Sequence, residues 1–245
     1  DDVVEEYADS STTGTAVHDA LEKYYPIGVL TEKIIKEITP DILKEIEGNF
    51  IAALSKQAMQ EGKNYLSLQI AQKLTKDFLK LEQRLINEAT ANNKQISLVR
   101  KEVDLEYYLF VDGLNFKLSG KADRIDFEGD TLRIIDYKTG KVEGNEVAFT
   151  EYDELISNNK KAKAFQLLMY AYLYLKMNPQ YQKKEVVAGN FAFKNLKSGL
   201  IKVCKKTGTR QKQVISIDSN VMDEFELQLE FILSQIKNED FTQVA

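Results

Sequence analysis

The chain has 245 residues, of which 43 % are hydrophobic and 29 % charged, which is ordinary for a soluble globular protein that buries a substantial core. Its single cysteine, Cys204, excludes an internal disulfide and any cysteine-rich zinc or iron–sulfur site built by this chain alone. No apolar run approaches the length of a membrane span, and the acidic N-terminus resembles neither a signal nor a transit peptide. We therefore expect a cytoplasmic protein without a membrane partner.

The formal net charge of −5 argues mildly against nucleic acid as a partner, because phosphate binding favours a basic surface. The charge is unevenly distributed, however. No acidic residue lies between Val186 and Ile217, where six lysines and one arginine occur. Two interpretations remain open: this stretch is a solvated basic hairpin, or it contacts DNA through residues such as Lys205 and Lys206.

The N-terminal part of the chain is predicted to be helical. Apolar residues recur at helical spacing after SSTTG, a stretch that offers serine and threonine N-caps: Ala16, Val17, Ala20, Leu21 and Tyr24. The helical pattern continues over residues 31–93, with breaks expected at Pro40, Gly48 and Gly62. Because this stretch carries little chemistry, we interpret it as a helical insertion within a single domain that spans residues 1–245.

At Ile96 the pattern changes to that of β-strands. Strands are predicted at 96–110, 116–127 and 131–138, then a helix at 161–178, a further strand pair within 185–204, and a last amphipathic helix near 219–237. This order of helices, antiparallel strands, helix, strands and helix predicts an α/β or α+β sandwich with a largely β centre.

Two aspartates and a lysine lie inside the predicted hairpin at 120–141. If a two-residue turn at 129–130 joins the strands, Asp123 lies directly opposite Asp136. Opposed β-carbons are about 4.5–5.5 Å apart, and like charges placed there repel each other. Either one carboxyl group is protonated or a cation lies between them, and carboxylate oxygens suit Mg²⁺ or Mn²⁺. Lys138 points to the same side, where it can stabilise developing negative charge or form a structural ion pair.

The same hairpin resembles a known nuclease family. GKADRID at 120–126 and IIDYKTGK at 134–141 are similar to motifs II and III of the PD-(D/E)XK nuclease superfamily, specifically its RecB/AddB-like branch, which includes exonucleases of CRISPR adaptation. GTAVHDALE at 14–22 resembles the upstream helix of that branch, and FQLLMY at 165–170 resembles its downstream Q-x-x-x-Y helix. The resemblance covers most of the chain outside residues 31–93. It implies a restriction-endonuclease-like core, with a central mixed β-sheet flanked by helices.

The resemblance also implies roles for individual residues. Asp123 and Asp136 would be ligands of Mg²⁺ or Mn²⁺, with His18 as a further ligand, and Lys138 would be the catalytic lysine. Without the resemblance, His18 is equally typical of a surface histidine beside an apolar stripe. Glu102, on the preceding strand, is a weaker candidate for assisting the metal, and we expect it to be surface-exposed.

Gln166 and Tyr170 would line the active site or contact the DNA backbone, according to the same resemblance. Helical geometry permits this pairing, because residues four apart share one face of a helix. The alternative is that both residues form the polar edge of a core helix, whose neighbouring leucines are plainly packing residues.

One feature of the branch is missing from this sequence. Many of its members carry four cysteines that hold an iron–sulfur cluster, whereas this chain has only Cys204, so we expect no such cluster within it. We interpret the chain as a fragment, the C-terminal nuclease domain of a larger helicase-nuclease whose remainder is a partner. No Walker-type phosphate-binding loop is present, so we expect no ATP hydrolysis by this chain.

The sequence therefore supports the hypothesis of a Mg²⁺- or Mn²⁺-dependent deoxyribonuclease, most simply an exonuclease that processes DNA ends in repair and recombination. A metal-activated water would attack the scissile phosphate while Lys138 stabilises the developing charge. Three alternatives remain open. They are a catalytically inactive DNA-binding scaffold, a structure-specific endonuclease or a nuclease acting on RNA, and an ordinary domain whose hairpin acids form a salt bridge.

Overall fold

The computed structural model describes residues 8–58, 62–208 and 211–238. The helices in these ranges are α1 (Ser10–Tyr24), α2 (Glu32–Ala58), α3 (Gly62–Ala91), α4 (Glu154–Ser157), α5 (Ala162–Met177) and α6 (Ser219–Asn238). The strands are β1 (Gly28–Val29), β2 (Ile96–Val111), β3 (Leu114–Glu128), β4 (Thr131–Lys138), β5 (Ala148–Phe149), β6 (Val186–Ala192), β7 (Leu200–Lys202), β8 (Cys204–Lys206) and β9 (Lys212–Val214). None of the helices in the described ranges is both long and apolar enough to cross a lipid bilayer.

Six strands form a central mixed sheet in the order β1-β2-β3-β4-β6-β7. β4 and β6 run parallel, while the other neighbouring strands are antiparallel. Parallel neighbours need a crossover connection, and the chain between β4 and β6 supplies one that contains α5. β5, β8 and β9 form a separate three-stranded sheet that the sequence did not predict. The mixed sheet flanked by helices confirms the predicted α/β fold class.

The hairpin of β3 and β4 has the predicted register. Its residue pairs run without a shift from the two-residue turn as far as Arg124 and Ile135. The same register brings the next residues, Asp123 and Asp136, level with each other. Gly129 in the turn has φ of 60°, a left-handed conformation that glycine adopts without strain.

Two apolar cores cover the two faces of the central sheet. Ile125 and Ile134 belong to the core that includes α5 and α6. Ile135 and Tyr137 belong to the other core, which includes α1, α2 and α3. Successive residues of β4 therefore face opposite cores, and the strand is buried on both sides, as is usual beside a parallel neighbour.

The helix α2 continues through Pro40 and Gly48, where breaks were expected, so those two predictions are wrong. The expected break at Gly62 coincides with the start of α3. One face of α2 is fully buried on both sides of the proline: Ile35, Ile42, Ile46 and Phe50. Packing of this apolar face outweighs the low helix propensity of proline and glycine, because tertiary contacts supply most of the stability of a helix in a protein.

The N-cap of α1 is Asp9 rather than a serine or threonine of SSTTG. The main-chain N–H of Thr12 donates a hydrogen bond to Oδ1 of Asp9 at 2.7 Å. The SSTTG stretch consequently forms the first turns of the helix. This shift does not affect the predicted apolar face, since Ala16, Val17 and Ala20 are buried.

Candidate active site

Three side chains from three different elements converge at one place. They are His18 of α1, Glu102 of β2 and Asp123 of β3, and one ligand atom from each lies within 4.8 Å of the others. Nδ1 of His18 is 3.4 Å from Oδ1 of Asp123 and 3.9 Å from Oε1 of Glu102. An imidazole nitrogen and two carboxylates at this spacing form a candidate metal-binding group.

The second ring nitrogen of His18 is held by the backbone of β4. Nε2 of His18 lies 3.1 Å from the carbonyl oxygen of Tyr137. Because a carbonyl oxygen can only accept, Nε2 carries a proton, which leaves the lone pair of the neutral ring on Nδ1. Burial lowers the pKa of His18, but the hydrogen bond and the negative charge of Asp123 outweigh burial and raise it. A cation at Nδ1 would replace that second proton, as at histidine ligands whose other nitrogen donates to a carbonyl group.

Asp123 is fixed by the same residue of β4. The main-chain N–H of Tyr137 donates to Oδ2 of Asp123 at 2.5 Å. The other carboxylate oxygen, Oδ1, is the one that faces His18. The peptide groups of Tyr137 thus orient both an imidazole and a carboxylate of the candidate site.

The carboxylate of Asp136 contacts Lys138 and Asn190. Nζ of Lys138 is 3.0 Å from Oδ1 and 2.9 Å from Oδ2 of Asp136. Nδ2 of Asn190 donates to Oδ2 at 2.7 Å. Burial, opposed by the charge of Lys138 and reinforced by that of Asp123, raises the pKa of Asp136 to about 6. The two aspartates therefore share an electrostatic environment in which both being ionised is unfavourable.

Gln166 and Tyr170 lie one turn apart on α5, and Nε2 of Gln166 donates to the Tyr170 hydroxyl oxygen at 2.8 Å. Burial raises the pKa of Tyr170 to about 12, and the charges of Asp136 and Asp123 add to this effect. Tyr170 thus lies within the field of the acidic group and keeps its proton. Its ring also explains the glycine of GKADRID, because a β-carbon at Gly120 would lie 2.8 Å from the ring.

Glu102 was expected to be surface-exposed, and that expectation is wrong, because its side chain is only 11 % exposed. Its Oε2 is 2.9 Å from Nζ of Lys121, and its backbone has φ of 46°, an uncommon left-handed conformation within a strand. The sequence contained a signal for this position. A two-residue turn at 112–113 places Val111 opposite Leu114, and counting back along that register brings Glu102 level with Asp123.

The structure does not bring Lys205 and Lys206 into this group. Both residues lie on β8 in the smaller sheet. Nζ of Lys205 is 5.0 Å from the centre of the Tyr152 ring, a cation–π arrangement. Lys206 lies near Lys161. Burial is the main cause that lowers the pKa of Lys161, and the charge of Lys206 is the next largest.

An open pocket of about 450 Å³ lies beside His18 and Lys138. Its walls come from α1, from the end of β4 and the loop that follows it, and from Lys163 of α5: Ser11, Gly14, Thr15, His18, Asp19, Tyr137, Lys138, Thr139, Gly140, Lys141 and Lys163. Three lysines and one aspartate line this space. Each of the three lysines pairs with a carboxylate: Lys138 with Asp136, Lys141 with Glu143, and Lys163 with Glu146. The pocket therefore places ammonium groups, each balanced by a carboxylate, beside the acidic group, and such groups can bind a phosphate ester.

A buried charged network lies behind the site, and nothing in the sequence pattern predicted it. NH1 of Arg124 is 2.7 Å from Oε2 of Glu82 on α3. Nε of Arg124 and Nε of Arg133 each lie 2.6 Å from an oxygen of Asp126. Arg124 also donates to the Tyr137 hydroxyl oxygen at 3.3 Å. The network therefore connects α3 to the strands that carry Asp123 and Tyr137.

Comparison with known proteins identifies the family. The sequence matches the PD-(D/E)XK nuclease superfamily over residues 2–244. A comparison with curated proteins gives no match. Among solved structures, the chain is similar to the one described as "Crystal structure of SSO0001", with 14 % sequence identity and a TM-score of 0.29 over 92 % of this chain and 85 % of that chain. The family match covers nearly the whole sequence, and the chain belongs to the PD-(D/E)XK nuclease superfamily, whose members are metal-dependent nucleases.

Proposed function

We propose that this protein is a Mg²⁺- or Mn²⁺-dependent deoxyribonuclease that hydrolyses phosphodiester bonds at the site described above. The observation that carries the proposal is the convergence of His18, Glu102 and Asp123 within 4.8 Å, next to the paired side chains of Asp136 and Lys138. The family match adds the class of reaction.

The side chains fit a divalent cation. His18, Asp123 and Asp136 would be the ligands, and Glu102 joins them either directly or through a water molecule. Glu102 and Asp123 lie within one group, and the charge of Asp123 adds to burial in raising the pKa of Asp136, while burial also raises the pKa of Glu102. Ionised carboxylates in this arrangement are unfavourable without a counter-charge. Carboxylate oxygens with one imidazole nitrogen suit Mn²⁺ and Mg²⁺. When bound, such a cation stabilises charge on the scissile phosphate and lowers the pKa of a bound water.

Lys138 would act on the phosphate or on the attacking water. Lys138 lines the open pocket, and its ammonium nitrogen lies 2.9 Å from Oδ2 of Asp136. With the charge of Asp136 balanced by a bound cation, the ammonium group of Lys138 would be available to donate to an oxygen in the pocket. There it would stabilise the negative charge that develops as the phosphorus–oxygen bond forms.

Gln166 and Tyr170 would position the substrate. The Tyr170 oxygen accepts a hydrogen bond from Gln166, so the tyrosine retains its own proton for donation. A pKa of about 12 keeps that proton in place at neutral pH. A neutral donor beside three carboxylates can bind a phosphate oxygen without adding negative charge.

We further propose that the chain acts as the exonuclease domain of a RecB/AddB-like helicase-nuclease in DNA repair and recombination, in the cytoplasm. In this proposal residues 1–245 form one nuclease domain, and residues 31–93 are a helical insertion. The support is the order of four motifs from Gly14 to Tyr170 in the sequence. Lys205 and Lys206 are proposed to contact the DNA.

The test is cleavage of end-labelled linear DNA and of covalently closed circular DNA with Mg²⁺, Mn²⁺ or EDTA. Wild type is compared with Lys138→Ala and with Lys117→Ala, a matched variant at an exposed lysine that pairs with Glu106. We expect metal-dependent loss of the linear DNA that Lys138→Ala abolishes and Lys117→Ala preserves. Cleavage of the circle would identify an endonuclease instead. Equal cleavage by both variants, or none by wild type, would contradict the proposed reaction.

A further inference from the structure

A second groove, of about 610 Å³, lies between α3 and the segment that follows β6. We call it the α3 groove, and it is lined by Lys73, Leu74, Asp77, Lys80, Leu81, Arg84, Phe193, Lys194, Asn195, Leu196 and Lys197. Its helical wall from Lys73 to Arg84 is about 16 Å long at the rise of an α-helix. This length suits an extended ligand better than a compact one.

The α3 groove is strongly basic in an acidic chain. Five of its lining residues are cationic and one, Asp77, is anionic, whereas the whole chain has 33 basic and 38 acidic residues. The carboxylate of Asp77 forms ion pairs with two of these lysines. Nζ of Lys73 lies 2.6 Å from its Oδ2, and Nζ of Lys80 lies 3.8 Å from its Oδ1. Lys194 and Lys197 are exposed and have no ion-pair partner within residues 8–58, 62–208 and 211–238. The groove therefore presents uncompensated ammonium groups to solvent.

The second wall of the groove is joined to the candidate active site by main-chain hydrogen bonds. The N–H of Phe193 donates to the carbonyl oxygen of Lys138 at 2.9 Å, and the N–H of Lys194 donates to that of Gly140 at 3.4 Å. The side chain of Asn195 bonds both the N–H and the carbonyl oxygen of Val142, at 3.2 and 2.7 Å. Lys138 and Gly140 line the open pocket. The groove and the pocket therefore lie on two sides of the loop that follows β4, which these hydrogen bonds hold in place.

The same wall is packed against α3. The ring of Phe193 stacks on that of Phe78, with centroids 4.6 Å apart and an interplanar angle of 13°. Both rings are buried, with 2 % and 0 % exposure. The width of the groove is therefore set by core packing, and its cations are held on a preformed surface.

We propose that the α3 groove binds the sugar-phosphate backbone of the DNA strand whose scissile phosphate occupies the open pocket. The placement of that phosphate rests on the proposed nuclease function, whereas the affinity of the groove for DNA does not. At 3.4 Å of helix axis per phosphate of one strand, 16 Å of groove spans about five phosphates. Lys194 and Lys197 contact phosphates nearest the pocket, and Lys80 and Arg84 face them from α3.

The test compares two charge-reversed variants of identical net charge. Lys194→Glu/Lys197→Glu alters the groove, and Lys183→Glu/Lys184→Glu alters two exposed lysines just before β6, at the other end of that strand. Binding of a fluorescein-labelled single-stranded 30-mer DNA is measured by anisotropy in EDTA at several salt concentrations. We expect the groove variant to bind about tenfold more weakly, with a salt slope smaller by about two, while the control matches wild type. The milder Lys194→Gln/Lys197→Gln should shift both quantities in the same direction.

Mn²⁺ binding, followed by electron paramagnetic resonance, distinguishes an effect on DNA binding by the groove from an effect on the metal site. We expect equal Mn²⁺ affinity in the groove variant and wild type. Equal DNA affinity and salt slope in the two charge-reversed variants would overturn the proposal, and so would a parallel loss of Mn²⁺ and DNA affinity. If wild type binds DNA through the groove but never cleaves it, the groove assignment stands and the nuclease function fails.

Discussion

Lys138 and Asp136 lie two residues apart on β4, with the ammonium nitrogen of one 2.9 Å from Oδ2 of the other. Alternation along the strand places both side chains on the same side, and the paired register brings Asp123 to that side as well. The lysine therefore balances a carboxylate that a divalent cation would otherwise balance. Cation binding and the release of Lys138 are expected to be coupled.

Replacing Asp136 by asparagine should stabilise the metal-free protein. Burial raises the pKa of this group from 3.8 to about 6, so ionisation opposes folding as the pH rises through that interval. In EDTA, Asp136→Asn should raise the free energy of unfolding by on the order of 2 kcal/mol above pH 6, and by nothing at pH values below 3.8. Thermal melts across pH measure this difference.

The matched control for that experiment is Asp130→Asn, whose side chain in the β3–β4 turn is fully exposed and whose replacement should change the free energy of unfolding by about 0.5 kcal/mol or less. Added Mn²⁺ should reverse the ranking, because a cation that binds only the folded wild type stabilises it. If Asp136→Asn melts at a lower temperature than wild type in EDTA at pH 7, the ionised carboxylate of Asp136 does not destabilise the folded protein.

Glu102→Gln should weaken Mn²⁺ binding by about 10- to 100-fold, the usual effect of removing a group that holds or orients a metal. The variant keeps the size of the side chain and removes its charge. Glu106→Gln is the control, because Glu106 lies on the same strand but pairs with Lys117 at the surface. Isothermal titration with Mn²⁺ provides the affinities. Equal values for the two variants would place Glu102 outside the metal site.

Gly120→Ala should destabilise the protein by about 1–3 kcal/mol, because the added methyl group would lie 2.8 Å from the ring of Tyr170. In a Tyr170→Ala background the same substitution should be nearly neutral. Urea unfolding of the two single variants and the double variant gives the coupling energy. Gly48→Ala, in the interior of α2 with nothing within 4 Å of an added β-carbon, is the control, and it should stabilise the protein by about 1 kcal/mol because alanine has the higher helix propensity. Additive effects would mean that the two residues do not touch.

Glu82→Ala should lower the free energy of unfolding by about 3–5 kcal/mol, since it leaves Arg124 without one partner in a buried network. Glu88→Ala is the matched control on the same helix, because Glu88 pairs with Arg84 in solvent and should change stability by about 0.5 kcal/mol or less. Chemical denaturation measures both. Losses of similar size would show that the network adds nothing beyond a surface ion pair.

Lys205→Glu/Lys206→Glu should weaken DNA binding and lower its salt dependence if β8 contacts the phosphate backbone. The decisive quantity is the slope of log affinity against log salt, measured by fluorescence anisotropy. Lys183→Glu/Lys184→Glu serves again as a control with the same change of net charge. An unchanged slope would remove β8 from the DNA-binding surface.

The sequence predicted those parts of the site that depend on local geometry. A two-residue turn at 129–130 fixes the strand register, so Asp123 and Asp136 follow by counting. The same counting from the turn at 112–113 would have placed Glu102 opposite Asp123. A glutamate in an alternating strand is nonetheless typical of an exposed position, so its residue type and the strand register point to opposite conclusions.

Contacts between distant segments were not predictable in this way. Glu82 lies on a helix and Arg124 on a strand, 42 residues away. Periodicity shows that each element has a buried face, but it does not show which helix covers which face of the sheet. Charged residues are rarely fully buried, so the sequence pattern of Arg124, Asp126 and Arg133 favoured a solvated surface.

The hydrogen bonds from Tyr137 to His18 and Asp123 involve only its main-chain atoms, although its ring also meets the His18 ring edge to face, with centroids 5.9 Å apart. Amino-acid replacement at position 137 would change the ring that packs against Phe78 and Phe191, yet the peptide groups that orient the two ligands would remain. Displacing those groups requires moving β4 itself, which is hydrogen-bonded to β3 on one side and to β6 on the other. These two hydrogen bonds are thus robust to replacement of Tyr137 and vulnerable to insertion or deletion in β4.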